Sequence, residues 1–153
     1  MSALRRLLVP VDFSAGSRAA MALATTLARP FEASIELLHV WTPPPLFGEP
    51  LLLWTAADAP PMSLEDLACQ RAGAQLKDLA DELRHGGIRE VHSTVTVGDA
   101  AHEICERARS EHHDLVVMGT HGRTGMAHVL LGSIAEKVVR HAPCPVVTVR
   151  TIG

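Results

Sequence analysis

Along the chain, short unbroken apolar runs alternate with stretches in which apolar residues recur every three to four positions. The runs read as strands buried on both faces and the periodic stretches as amphipathic helices, so the alternation predicts an α/β fold of parallel strands and crossover helices. Residues 7–11 are the first predicted strand. Residues 15–29 follow as a helix, with Ala20, Leu23, Ala24 and Leu27 at helical spacing and Ser14 placed to cap it. Residues 35–40 form the second strand, and 63–85 a longer helix that stops at Gly86-Gly87. Over residues 90–97, Val91, Ser93, Val95 and Val97 alternate with His92, Thr94 and Thr96, the pattern of an edge strand wet on one side. Gly98-Asp99 opens a helix over 100–111, residues 115–118 are the fourth strand, 134–141 the last helix, and 146–149 the fifth strand.

Residues 41–61 break this rhythm. They hold Pro43, Pro44, Pro45, Pro50, Pro60 and Pro61 together with Trp41, Phe47 and Trp54, and no regular structure is predicted for them. Connections of that length usually carry function or lack order.

Right-handed crossovers and the buried character of the first and fourth strands favour the order 3-2-1-4-5. The expected architecture is an open five-stranded parallel sheet with helices on both faces, one domain over residues 1–153. In this order the chain reverses direction between the first and fourth strands, whose carboxyl ends bracket a crevice of the kind that takes ligands. Asp12 and the loop after Gly119 fall there. Pro10 removes a ladder donor from a central strand, so it is expected where that strand leaves the sheet. The fifth strand is the other edge, and Val146, Val147 and Val149 make it apolar on both faces. Such an edge invites a second copy, which predicts a two-fold homodimer through residues 146–149.

The candidate chemistry lies in Gly119, Gly122, Gly132 and Ser133, which follow the apolar run 114–118. Strand, glycine-broken loop and helix start in that order make a phosphate cradle, with glycines to bare the main-chain amides and to allow positive φ. Ser133 and Glu136 have capping-box spacing, so Glu136 would compete with a phosphate for the Ser133 amide. His121 and Arg123 lie in the same loop as candidate phosphate donors, Arg123 by a forked contact.

Composition narrows the classes. A net charge of −3 and 3% aromatic residues give neither a field for nucleic acid nor a stacking platform. No apolar run approaches a membrane span and no signal-peptide core stands at the start, so the expected location is the cytoplasm. Cys69, Cys105 and Cys144 form no Cys-x-x-Cys pair and suit reduced thiols with packing roles, Cys144 between two prolines being the most exposed by expectation. The stretch His102-Glu103-Ile104-Cys105-Glu106 lacks the second histidine of a zinc-protease helix, and His112-His113 is expected at the surface. Neither a P-loop nor a dinucleotide fingerprint is present. Asp12 is the one carboxylate expected near the phosphates, in contact with ribose or metal, and no base for activating water stands out.

Two separated stretches carry a family likeness. Val9-Pro10-Val11-Asp12-Phe13-Ser14, joined to Val117-Met118, the spacing Gly119-x2-Gly122-x9-Gly132-Ser133 and the closing stretch 143–149, resembles the universal stress protein family over nearly the whole chain. The resemblance implies an adenine nucleotide alpha hydrolase-like fold that binds ATP. Pro10, Asp12 and Val40 would line the adenosine end, Met118 and Gly119 would pack by the ribose, and Gly122, Gly132, Ser133 and Ile134 would hold the phosphates. It also implies a divalent cation, Mg2+ or Mn2+, held mainly through the phosphates, a homodimer through the fifth strand, and a nucleotide-dependent switch or sensor in the stress response. Two alternatives of other classes stand beside it: a slow metal-dependent ATPase relying on Asp12, and a nucleotide-free interaction module built on Trp41, Phe47 and Trp54.

Overall fold

Leu7, Leu8 and Val9 expose no surface at all. Three consecutive buried residues require cover on both faces of their strand, and that strand is central. The computed structural model describes residues 3–45, 50–121 and 131–151. In chain order its elements are β1 (Arg6–Pro10), α1 (Ala15–Ala28), a 3-10 turn (Arg29–Phe31), β2 (Ser34–Trp41), β3 (Leu52–Leu53), β4 (Met62–Ser63), α2 (Leu64–His85), β5 (Val91–Val97), α3 (Ala100–Ser110), β6 (Leu115–Gly119), α4 (Ser133–His141) and β7 (Val146–Val149). The main sheet runs β5-β2-β1-β6-β7 with every pairing parallel, which is the expected order once the small β3-β4 pair is set aside.

Alternation along the strands divides the core into two layers. Leu7, Val9, Ile35, Leu37 and Val117 pack under α1 and α2, while Leu8, Leu38, Val116 and Met118 pack under α3 and α4. Each fully buried aliphatic side chain contributes about 1.5–3 kcal/mol. The helices begin and end where their caps dictate. Ser14 accepts from the Ser17 amide at α1, and Ser63 from the Asp66 amide at α2. Acidic Glu65 and Asp66 open α2 and basic Arg84 and His85 close it, both favourable to its dipole. Gly87, at φ 96, then takes the left-handed turn that ends the element. Asp114 ties two strand starts together by accepting from the amides of both Arg5 and Arg6 at 2.8 Å.

Several expectations need correction. The stretch 41–61 is not wholly irregular, because Leu52–Leu53 pairs antiparallel with Met62–Ser63 and the Leu64 amide closes onto the Leu51 carbonyl. The prolines only confine the pair to two residues a side. The polar face of β5 is wet at His92, which is exposed, but further along Thr94 and Thr96 are half-buried and donate to Glu36 and Glu103. His113 is buried at 5% exposure, whereas its neighbour His112 is exposed at φ 53. Cys69 and Cys144 are equally intermediate in exposure, and all three thiols are free. Burial raises each thiol above its ordinary value, assisted by Glu65 and Asp66 at Cys69 and by Asp114 at Cys144. Pro10 does sit at the last position of β1, and the next amide, Val11, resumes bonding to the Leu38 carbonyl at 2.8 Å. Among the described residues no helix is long and apolar enough to cross a membrane.

Candidate functional site

β1 stays paired with β2 up to Pro10↔Leu38, but its pairing with β6 ends at Leu8↔Val116. Beyond that point the two strands part, and their following helices lie on opposite faces of the sheet, α1 with one core layer and α4 with the other. The gap is a cleft of about 590 Å³. A volume in that range suits a small organic ligand.

The cleft gathers most of the residues singled out in the sequence. Pro10, Val40, Met118 and Ile134 supply apolar lining, and Asp12, Gly119, Gly132 and Ser133 line it as well. Gly122 and Arg123 lie outside the described residues. His121 also lines the cleft, its Nδ1 2.9 Å from the Thr120 hydroxyl. Sequence reasoning missed Thr42, Ala100 and Ile104, which complete the wall on the β2 and α3 side. The signal was available, since Gly98-Asp99 ends a strand at the same edge of the sheet and α3 begins there.

The start of α4 differs from expectation by one residue, with chemical consequences. Gly132, at φ −67 and ψ 160, is the cap, and among the described residues no side-chain hydrogen bond caps the helix. Ser133 is therefore the first helical residue and forms no capping box. The Glu136 amide donates to the Gly132 carbonyl at 2.9 Å, and its carboxylate accepts from Arg140 Nη2 at 2.7 Å. The expected competition between Glu136 and an anion disappears. The amides of Ser133, Ile134 and Ala135, which cannot bond within the helix, belong to residues that line the cleft.

Gly119 and Gly132 are required by backbone packing rather than by positive φ. A Cβ on Gly119 would lie 2.9 Å from the Gly16 carbonyl carbon, and one on Gly132 would lie 2.7 Å from the Thr120 oxygen. Contact between the first turn of α1 and the end of β6 draws both edges of the cleft together. Gly16, on which a Cβ would lie 3.0 Å from the His121 oxygen, is the unnoticed member of this set.

Asp12 is the one carboxylate on the described lining, which holds no lysine or arginine. It is half-buried, and its Oδ1 accepts from the Ser14 amide at 3.0 Å and from the Ser14 hydroxyl. Among the described residues no three metal-ligating side chains converge.

One turn of α3 below Ile104, away from the cleft, lies a second polar group that the sequence did not announce. Glu36, 4% exposed in β2, accepts from Thr94 Oγ1 at 2.8 Å, from Arg107 Nε at 2.8 Å and from His113 Nε2 at 3.0 Å. Burial pushes its carboxyl up, but the bonds from His113, Arg107 and Thr94 and the charge of Arg107 outweigh it and hold the pKa at about 2. Nδ1 of His113 is buried without a hydrogen-bond partner among the described residues.

Comparisons with known proteins agree along the length of the chain. The model of the universal stress protein family matches residues 3–150. A universal stress protein of Methanocaldococcus jannaschii is 32% identical over 146 residues, covering 95% of this chain and 82% of its own. One from Thermus aquaticus is 30% identical over 147 residues, covering 95% and 98%. Among solved structures, universal stress protein UspA from Lactobacillus plantarum matches with a TM-score of 0.78 at 24% identity, covering 98% of this chain and 100% of that one. A universal stress protein crystallised in complex with cAMP matches with a TM-score of 0.72 at 25% identity, covering 99% and 100%.

Proposed function

The chain belongs to the universal stress protein family, and from that premise we propose that its cleft binds an adenine nucleotide, ATP in the first instance. The observation that carries this reading is the pairing, in one cleft, of an apolar end with a helix start that, among the described residues, no side chain caps. Pro10, Asp12 and Val40 line the adenosine end, Met118 and Gly119 pack by the ribose, and the amides of Ser133, Ile134 and Ala135 hold phosphate oxygens. Gly122 and Arg123 complete the phosphate end. Mg2+ or Mn2+ rides on the phosphates, with Asp12 as its nearest protein carboxylate.

Magnitudes favour a useful affinity. Bonds from amides to a charged phosphate are worth about 1.5–3 kcal/mol each and the dipole of α4 adds about 0.3–1 kcal/mol. Two or three such bonds and a buried base, less the cost of ordering the ligand, reach the micromolar range near −8 kcal/mol. The match to a relative in complex with cAMP supports a nucleotide over other anions.

In this reading the protein is a nucleotide-dependent switch or sensor of the stress response. It works as a homodimer in the cytoplasm, where the three free thiols stay reduced. Among the described residues β7 pairs only with β6 in the sheet, so its outer edge is the surface that a symmetry mate would extend. Mass spectrometry of the protein purified without added ligand tests the site. Retained adenine nucleotide, or micromolar calorimetric binding of ATP, AMP or cAMP with Mg2+, supports it; no binding at millimolar concentration of any of them refutes it.

A further inference from the structure

The turn between β1 and α1 is held from behind. Phe13 adopts φ 64, a conformation that bulky L-residues avoid and that persists only where the surroundings impose it. His39, near the end of β2, supplies two of the restraints. Its Nδ1 lies 2.7 Å from the Val11 carbonyl, and its ring lies 4.8 Å from the Phe13 ring at 37°. A carbonyl only accepts, so Nδ1 carries the proton and donates. The Val11 amide donates in turn to the Leu38 carbonyl at 2.8 Å. Residues 11 and 13 are thus both fastened to β2, and Asp12, a residue of the cleft lining whose carboxylate also accepts from Ser14, stands between them. Alternation along β2 puts His39 on the face opposite Leu38 and Val40, which line the cleft, and His39 itself does not line it.

We propose that His39 is a positioning residue: through Val11 and Phe13 it fixes where the Asp12 carboxylate stands in the cleft, and so sets the affinity for the ribose and cation end of the ligand. This rests on the nucleotide reading above. His39 touches no ligand; it acts by denying the turn its relaxed conformations. The two contacts divide the work. The bond to Val11 sets the height of the turn above the sheet, and the ring contact keeps Phe13 from swinging back to negative φ and carrying Asp12 with it.

A double-mutant cycle separates positioning from general support of the fold. Calorimetry with ATP and Mg2+ is run on wild type, His39→Phe, Asp12→Ala and the double variant. His39→Phe keeps a ring against Phe13 and deletes the donor; it weakens ATP about tenfold, the equivalent of one bond to a charged group. His39→Asn, whose amide stands where Nδ1 stood, recovers affinity to within about threefold of wild type. With Asp12 already replaced by alanine, His39→Phe costs less than about twofold, since nothing is left to position. Equal losses in both backgrounds, or no loss in either, overturn the proposal. Should His39→Phe fail to fold, Phe13→Leu carries the same cycle by removing the ring contact alone.

A wild type that binds no ATP refutes the nucleotide reading without deciding this one. The carboxyl 13C resonance of Asp12 in the ligand-free protein then decides it. Displacement of that resonance in His39→Phe and its return in His39→Asn uphold the positioning role, and a resonance indifferent to both variants overturns it.

Discussion

Two polar regions lie on the α3 side of the sheet, one turn of helix apart, and they use their polar groups in opposite ways. Around Glu36 the carboxylate is consumed inside the protein: Thr94, Arg107 and His113 all converge on it, and its exposure is 4%. In the cleft above, the first turn of α4 has no side-chain cap among the described residues, and its own acidic residue, Glu136, is turned away to Arg140. The difference shows how one domain separates holding itself together from holding something else. The charges around Glu36 are buried and paired, whereas in the proposed reading the donors for a ligand are backbone amides, which cannot collapse onto a neighbour when the ligand leaves.

The contrast is broken most forcefully at the buried group. Replacing Arg107 by leucine leaves Glu36 buried with only His113 and Thr94, and a loss of about 3 kcal/mol in urea unfolding is expected, at the low end for a broken buried pair because Arg107 is one-third exposed. Nucleotide affinity of the folded fraction should be unchanged.

Acid attacks the same place by another route. The Glu36 carboxyl titrates at about 2 in the folded protein against 4.5 ordinarily, so the unfolded chain takes up its proton first. This group's stabilisation is complete above pH 4.5 and is lost as pH falls toward 2. Unfolding free energies compared at pH 6 and pH 3 should differ by about 2 kcal/mol from this group alone, and the difference should vanish when Glu36 and Arg107 are both replaced by leucine.

The cleft edge gives a smaller effect. Gly132→Ala places a methyl against the Thr120 oxygen and should cost about 1–2 kcal/mol by thermal melting, with the backbone giving way. Gly73, mid-helix in α2 with open space around it, provides the opposite sign: Gly73→Ala should stabilise by about 0.5–1 kcal/mol.

How much of this was legible in the sequence follows the same division. The five main strands were readable because runs such as 7–9 and 115–118 are apolar on both faces, and their order followed from crossover handedness. The crevice followed from the order, and with it Asp12 and the Gly119 loop; Ser133 came from the glycine spacing and Val40 only from the family resemblance. The β3-β4 pair escaped because two-residue strands bracketed by prolines leave no periodic trace. The start of α4 was misplaced by one residue because glycine and serine both cap well, and the choice of Gly132 is made by the Thr120 oxygen, which no local pattern records. Glu36 was invisible for a similar reason. A single acid in a strand looks like a solvated position until Thr94 and Arg107, 58 and 71 residues further along, are brought to it.

The central claim is that bare amides at the start of α4 hold the phosphates, and Ser133→Pro tests it most directly. Proline is at home in the first position of a helix, and Gly132 before it already has the extended backbone that a proline requires. The substitution deletes one amide and leaves the helix standing. Calorimetry should show ATP binding about tenfold weaker at unchanged melting temperature, and adenosine binding unaltered. Undiminished ATP affinity in a correctly folded Ser133→Pro protein would contradict the account.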